Sequence, residues 1–170
     1  MSIFNAEFTT GQVIAAADVT NSALQTWIKR GLIVGHKNHQ IDMPGTPGIK
    51  RKFSFFNVME IAIAKGLIDL GVELTDAFHH ASMFAHTGDE ERNPSLLFRD
   101  PGFTLLCVAG PKATEVLWMP GTDVTATIRT NLHHPLGWVT LEVNNVFDRV
   151  TTSLGYHPEA VLTECYGENN

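Results

Sequence analysis

The sequence predicts an α+β chain, mainly helical in its N-terminal half and β-rich with some helix in its C-terminal half. Three observations predict it. Two short helical periods meet at a tight turn within residues 12–30, a Pro/Gly-rich basic loop follows, and the apolar segments beyond residue 101 run in short β-type stretches.

Each element follows from local chemistry. Thr9 or Thr10 is a good helix N-cap for a short helix over 12–17, with Val13, Ile14 and Ala17 on one face. Asp18-Val19 makes the turn, and Thr20 or Asn21 caps a second helix. There Leu24, Trp27 and Ile28 recur at i, i+3, i+4, and Gly31 supplies a left-handed stop. Pro44-Gly45-Thr46-Pro47-Gly48 is a strong turn signal. Extended pieces at 33–35 and 52–55 would flank it as a hairpin, giving a winged helix-turn-helix. Ser54 or Asn57 caps a third helix carrying Val58, Ile61, Ala62, Leu67 and Ile68, which ends at Leu70-Gly71. Thr75 opens a fourth with Ala77, Phe78, Ala81, Phe84 and Ala85.

Composition shifts at 87–101, where Gly88, Asp89, Glu90, Glu91, Pro94, Asp100 and Pro101 cluster. The expected organisation is therefore a helical domain at 1–86, a linker at 87–101 and an α+β dimerisation or effector domain at 102–170. In that second domain, strands are expected at 103–109 and 114–119, with β-rich pieces around 124–129 and 138–143. A helix is expected at 144–154, with Val146, Phe147 and Val150 inward, and a frayed tail at 168–170.

The chain of 170 residues is 44% hydrophobic and 18% charged, an ordinary balance for a protein that buries a core. No apolar run approaches the roughly 18 residues needed to cross a bilayer, and the N-terminus lacks a secretory pattern. A cytoplasmic location without membrane partners is expected. Two distant cysteines, Cys107 and Cys165, argue against a disulfide framework or zinc ribbon.

The net charge of −6 is unevenly spread. Residues 1–86 hold seven Lys/Arg and seven Asp/Glu, whereas 87–170 hold five against eleven. Within 20–52, Lys29, Arg30, Lys37, Lys50, Arg51 and Lys52 face only Asp42, a local +5. Phosphates respond to such a local patch, because screening limits charge to about 8–10 Å.

The first half resembles the DNA-binding domain of MerR-type transcription regulators. The residues carrying the resemblance are Phe8-Thr9-Thr10-Gly11-Gln12-Val13, the second helix from Thr20 through Trp27 to Gly31-Leu32, then Arg51-Lys52-Phe53-Ser54 and Leu70-Gly71-Val72-Glu73-Leu74. About half the chain is covered. The family's second-helix Arg falls near Gln25 or Thr26, the wing is longer, and no coiled-coil dimerisation helix follows residue 86. The resemblance implies a homodimeric, non-enzymatic regulator associated with the bacterial nucleoid. Double-stranded DNA is the implied partner, and RNA polymerase or a small-molecule effector are candidate further partners.

A helix of about three turns fits the major groove with polar side chains on base edges and basic ones on phosphates. Asn21, Ser22, Gln25 and Thr26 are the base-edge candidates, since paired amide contacts suit adenine. Lys29, Arg30, Lys50, Arg51 and Lys52 are the phosphate clamps, while Thr10 and Gly11 offer backbone N–H groups at a helix start. Arg51 has a structural alternative in Glu60 or Asp42. His79-His80 and His133-His134 are adjacent pairs that do not chelate jointly, and no nucleophile elbow, phosphate loop or paired carboxylates occur, so no metal or cofactor is expected. Two other readings remain. One is an excisionase-like architectural protein that bends DNA. The other is a ligand-binding α+β domain with the helix-turn-helix as adaptor, its pocket lined from Trp118, Arg129, Trp138 and Tyr156.

Overall fold

The computed structural model describes residues 2–35 and 51–167, so Lys50 and the turn signals at 44–48 lie outside the described residues. Among the described residues the chain is a mixed α+β structure of seven α-helices and two small antiparallel sheets.

A short 3-10 segment, Ile3–Asn5, lays Phe4 edge-on against Phe55, with ring centroids 5.7 Å apart. Strand β1, Phe8–Thr9, then leads into helix α1, Thr10–Ala17. Thr9 accepts the Gln12 N–H while the Gln12 side chain accepts the Thr9 N–H, a reciprocal capping box. Asp18 turns the chain in a left-handed conformation (φ 54°), and Thr20 caps helix α2, Asn21–Lys29, by accepting the Ala23 N–H at 3.1 Å. Leu24, Trp27 and Ile28 are buried, as their spacing predicts. Gly31 (φ 68°) ends the helix, with its N–H donating to Ile28 and that of Leu32 to Trp27.

The hairpin expected between 33–35 and 52–55 is not what the described residues form. Strand β2, Lys52–Phe53, pairs antiparallel with β1, in the register Phe8–Phe53 and Thr9–Lys52. Residues 33–35 instead follow a turn held by side chains: Asn57 donates to the Val34 carbonyl at 2.9 Å, and buried Glu60 accepts the Val34 N–H at 3.1 Å. Local polarity permitted a strand at 33–35. Capture of both its backbone groups by the next helix removed it.

Helix α3, Phe55–Asp69, is the hub. Ser54 and Asn57 form its capping box, and its side chains are apolar almost all round, the signature of a central helix. It packs on α1, on α4 (Leu74–His86) and on α6 (Val143–Ser153). Glu73, not Thr75, caps α4, accepting the Thr75 N–H at 2.7 Å.

The second sheet has the order β4-β3-β5, with β3 (Phe103–Ala109) central, β4 (Lys112–Trp118) on one edge and β5 (Val139–Glu142) on the other. Leu106 and Val108 join the main core with α3 and α6. At this seam Gly66 is packed so closely that a β-carbon would lie 3.0 Å from Leu141 Cδ1, letting β5 approach α3. Leu105, Cys107 and Val116 face the other way, beneath helix α5 (Val124–Asn131), through Ile128 and Leu132.

Two elements differ from expectation. The stretch 124–129, rich in Val, Thr and Ile, is helical because Asp123 caps it, accepting the Ala126 N–H at 2.9 Å, and Ile128 and Leu132 bury one face. Helix α7, Pro158–Tyr166, was not anticipated, although Pro at its first turn and Gly167 after its end are the appropriate punctuation. The second half is therefore less β-rich than its composition suggests.

Residues expected as a linker contribute to the interior. Arg92, Ser95, Leu96 and Leu97 are buried, and one apolar cluster runs from Ile3 through α3 to Val161. No helix is long and apolar enough to cross a membrane among the described residues.

Candidate nucleic-acid interface

The polar face of α2 is built by default. Once Leu24, Trp27 and Ile28 turn inward, with Trp27 against Phe78 at 5.1 Å, the helix must present Asn21, Ser22, Gln25, Thr26 and Lys29 to solvent. All five are exposed, as is Arg30 at the helix end. Thr10 is half-buried at the first turn of α1. Thr9 already serves the Gln12 N–H, so its hydroxyl is committed within the helix.

The β1–β2 ladder brings the distant basic segment to this face. Thr9 lies opposite Lys52, and the half-buried Arg51 next to it donates from its guanidinium to Gln25 Oε1 at 3.2 Å. Gln25 Nε2 in turn donates to Asn21 Oδ1 at 3.3 Å. Arg51, Gln25 and Asn21 thus form one chain of bonds joining the strand to the α2 surface. Thr26 spends its hydroxyl proton on the Ser22 carbonyl at 2.9 Å, leaving a methyl and an acceptor outward.

Neighbouring carboxylates offset part of the cationic charge. Lys52 Nζ lies 2.9 Å from Glu7 Oε2, with both side chains more than half exposed, a pair of small energetic value in water. Glu73 is held below the ordinary carboxylate range, first by the Thr75 N–H and least by nearby Arg30. The structural alternatives for Arg51 divide: Glu60 is occupied by His86 at 2.9 Å and by the Val34 N–H, and Asp42 lies outside the described residues.

The sequence identified the exposed polar face of α2 but missed how it is tied together. Asn21 and Gln25 at i, i+4 were a readable signal. The Arg51–Gln25 bond spans 26 residues and depends on the β1–β2 register, which no local pattern encodes.

Away from this face, Trp118 is exposed, Trp138 packs beside α5, and Tyr156 meets Phe8 at 6.5 Å, so these residues do not converge with Arg129 on one pocket. A separate cleft of about 480 Å³ lies between α4 and the β3–β4 hairpin, bounded by His79, His80, Met83, Asp89, Arg92 and Glu115. Its polar walls are internally bonded: His80 meets the Gly110 carbonyl at 2.9 Å, and Arg92 forks onto Glu115. Burial pushes the Glu115 carboxyl up despite Arg92. No group of three or more His, Cys, Asp and Glu side chains is arranged to hold a metal among the described residues.

Comparison with known proteins adds no relative: no protein-family model matches the chain, and no curated protein matches it significantly.

Proposed function

We propose that the chain is a sequence-specific, DNA-binding transcription regulator of MerR-like type. It would act without enzymatic activity, as a homodimer on a palindromic operator in the cytoplasm. Its first half serves as a winged helix-turn-helix and its second half as a dimerisation or effector unit.

One observation carries this reading: Arg51, beside Lys52, is bonded into the exposed polar face of α2 through Gln25. A cation held at the edge of a polar helix face has phosphate and base-edge chemistry side by side. With Gln25 engaged at both ends of its amide, Asn21 and Arg51 become the donors nearest the groove. They suit base acceptors such as guanine O6 and N7 better than the adenine pairing that amide residues alone suggest. Thr10, Ser22, Thr26, Lys29, Arg30 and Lys50 complete the proposed contact set.

The test is selection from a random duplex pool, followed by gel shifts across a salt series. A recovered palindrome is expected, bound with a steep salt dependence. Arg51→Ala and Lys52→Ala would each flatten the log–log slope by about one. Salt-independent binding, or none, overturns the assignment. The cleft beside Arg92 favours a second reading, in which the same chain also takes a small-molecule effector there.

A further inference from the structure

Strand β4 forms one edge of the second sheet. The hairpin turn between β3 and β4 is only Gly110-Pro111, with Ala109 facing Lys112. In a two-residue hairpin the flanking pair is hydrogen-bonded, and bonded pairs then alternate along the ladder. Lys112, Thr114, Val116 and Trp118 therefore spend their N–H and C=O groups on β3. Those of Ala113, Glu115 and Leu117 point outward. The alternation is checked on the far side of β3, where the Thr104 N–H is taken by Asn144 Oδ1 at 2.7 Å, on the β5 side. No backbone group elsewhere in the described chain bonds the outward N–H and C=O groups of these three residues, and the Glu115 carbonyl has only a long 3.5 Å bond from the hydroxyl of its neighbour Thr114.

Beside this open edge lies an apolar patch. Phe103 and Trp118 stack with ring centroids 5.0 Å apart and remain 42% and 44% exposed. An open seven-residue edge with stacked aromatics at its end is a template for another strand.

We propose that the occupant is a second copy of this chain, added edge to edge so that β4 pairs antiparallel with the β4 of its twin across a twofold axis at Glu115. Only this register pairs all seven residues. Ala113 then opposes Leu117 of the twin and Glu115 opposes itself, giving about six backbone hydrogen bonds, two per narrow pair. Lys112 falls opposite Trp118 of the twin, setting an ammonium against the exposed indole at both ends of the interface. The two Glu115 side chains meet near the axis, but each is already forked by its own Arg92, so the junction is not a bare pair of like charges. The result is a continuous six-stranded sheet. It also supplies the twofold that a palindrome requires, without a coiled-coil helix. This inference deepens the homodimer named in the functional reading, yet it is measured without DNA and so stands or falls separately.

The experiment uses the full chain. Light scattering or sedimentation at micromolar concentration should give a dimer in the absence of DNA. Ala113→Pro removes an outward N–H that an edge strand does not use internally, so the fold tolerates it. It should weaken dimerisation about tenfold or more, since two interface bonds are lost per dimer. Lys112→Cys combined with Trp118→Cys places the two thiols at a closely spaced, non-hydrogen-bonded pair within disulfide reach. Mild oxidation should give a covalent dimer that neither single substitution gives. A chain monomeric to about 100 μM, far above working concentrations, overturns the proposal. So does a dimer that yields no 112–118 cross-link. Should Ala113→Pro melt early, the cysteine pair alone decides.

Discussion

Arg92 offers the sharpest test of how the two halves hold together. It sits on the segment after α4, 2% exposed, and every guanidinium donor is used. Two go to Glu115 on β4, including a 3.0 Å contact to Oε1; the others reach the carbonyls of Phe84 (3.2 Å), Thr87 (3.1 Å) and Asn93 (2.9 Å). The guanidinium also lies 4.0 Å from the Phe84 ring centre. Arg92→Met keeps much of the volume but strands Glu115, whose side chain is 22% exposed, and leaves three carbonyls without that donor. Removing one partner of a buried ion pair costs about 3–5 kcal/mol. For a domain of this size each kcal/mol lowers Tm by about 2–4 °C, so a drop of roughly 6–20 °C is expected. Urea and thermal melts followed by circular dichroism would measure it. The double variant Arg92→Met, Glu115→Leu removes both charges and should recover most of the loss, because a well-packed apolar pair often matches a buried ionic one. A single-variant loss below about 1 kcal/mol, the range of an exposed pair, would show that Arg92 is not the weld between α4 and β4.

Three further outcomes follow from the same chemistry. Burial raises the Glu115 carboxyl above its unfolded value, so its contribution to stability is full below the ordinary glutamate range and fades as pH climbs through the raised value. Thermal melts between about pH 4 and 7 should show the wild-type chain losing stability relative to Glu115→Gln as pH rises, and the opposite trend would mean that the Arg92 attraction outweighs desolvation. Cys107 is buried, bonded to the Thr140 hydroxyl at 3.6 Å, with its thiol pushed up by burial, so iodoacetamide should label it only after unfolding; rapid native labelling at Cys107 would contradict the packing of α5. Thr20→Ala removes the cap that accepts the Ala23 N–H and should destabilise the chain by about 1 kcal/mol, read from urea midpoints, whereas an unchanged midpoint would mean that α2 is held by Trp27 packing alone.

The helical N-terminal half was legible because its signals are local. Thr20, the Leu24–Trp27–Ile28 period and Gly31 each act within one or two turns, and the structure places each in its expected role. Strands β3 and β4 were legible for the same reason, although the turn between them is only two residues long and β4 begins at Lys112 rather than at the expected 114. Residues 124–129 misled because β-branched composition states a preference of a few tenths of a kcal/mol, which one Asp cap and two buried side chains overturn. At 87–101, polar residues suggested exposure while Arg92 and Leu96 turned inward. Composition averages over a segment, whereas burial is decided residue by residue. For the candidate site, the exposed face of α2 could be read from periodicity. Its link to Arg51 could not, being set by the pairing of Thr9 with Lys52 across more than forty residues.

The position of that face is determined by more than its own helix. Glu60, fully buried on α3, accepts the Val34 N–H with both oxygens and meets His86 at the end of α4, while Asn57 one turn earlier takes the Val34 carbonyl. The backbone leaving α2 is therefore anchored to the helix that also bears Gly66, where β5 packs. At its other end α4 braces Trp27 through Phe78, and just past its C-terminus stands Arg92, forked onto the β4 edge strand. A buried carboxyl group with three well-made contacts resists displacement, because any shift would leave its polar oxygens without partners in a dry interior. The α2 surface, the α3–α4 pair and the β4 edge are thus connected through groups that tolerate little slack.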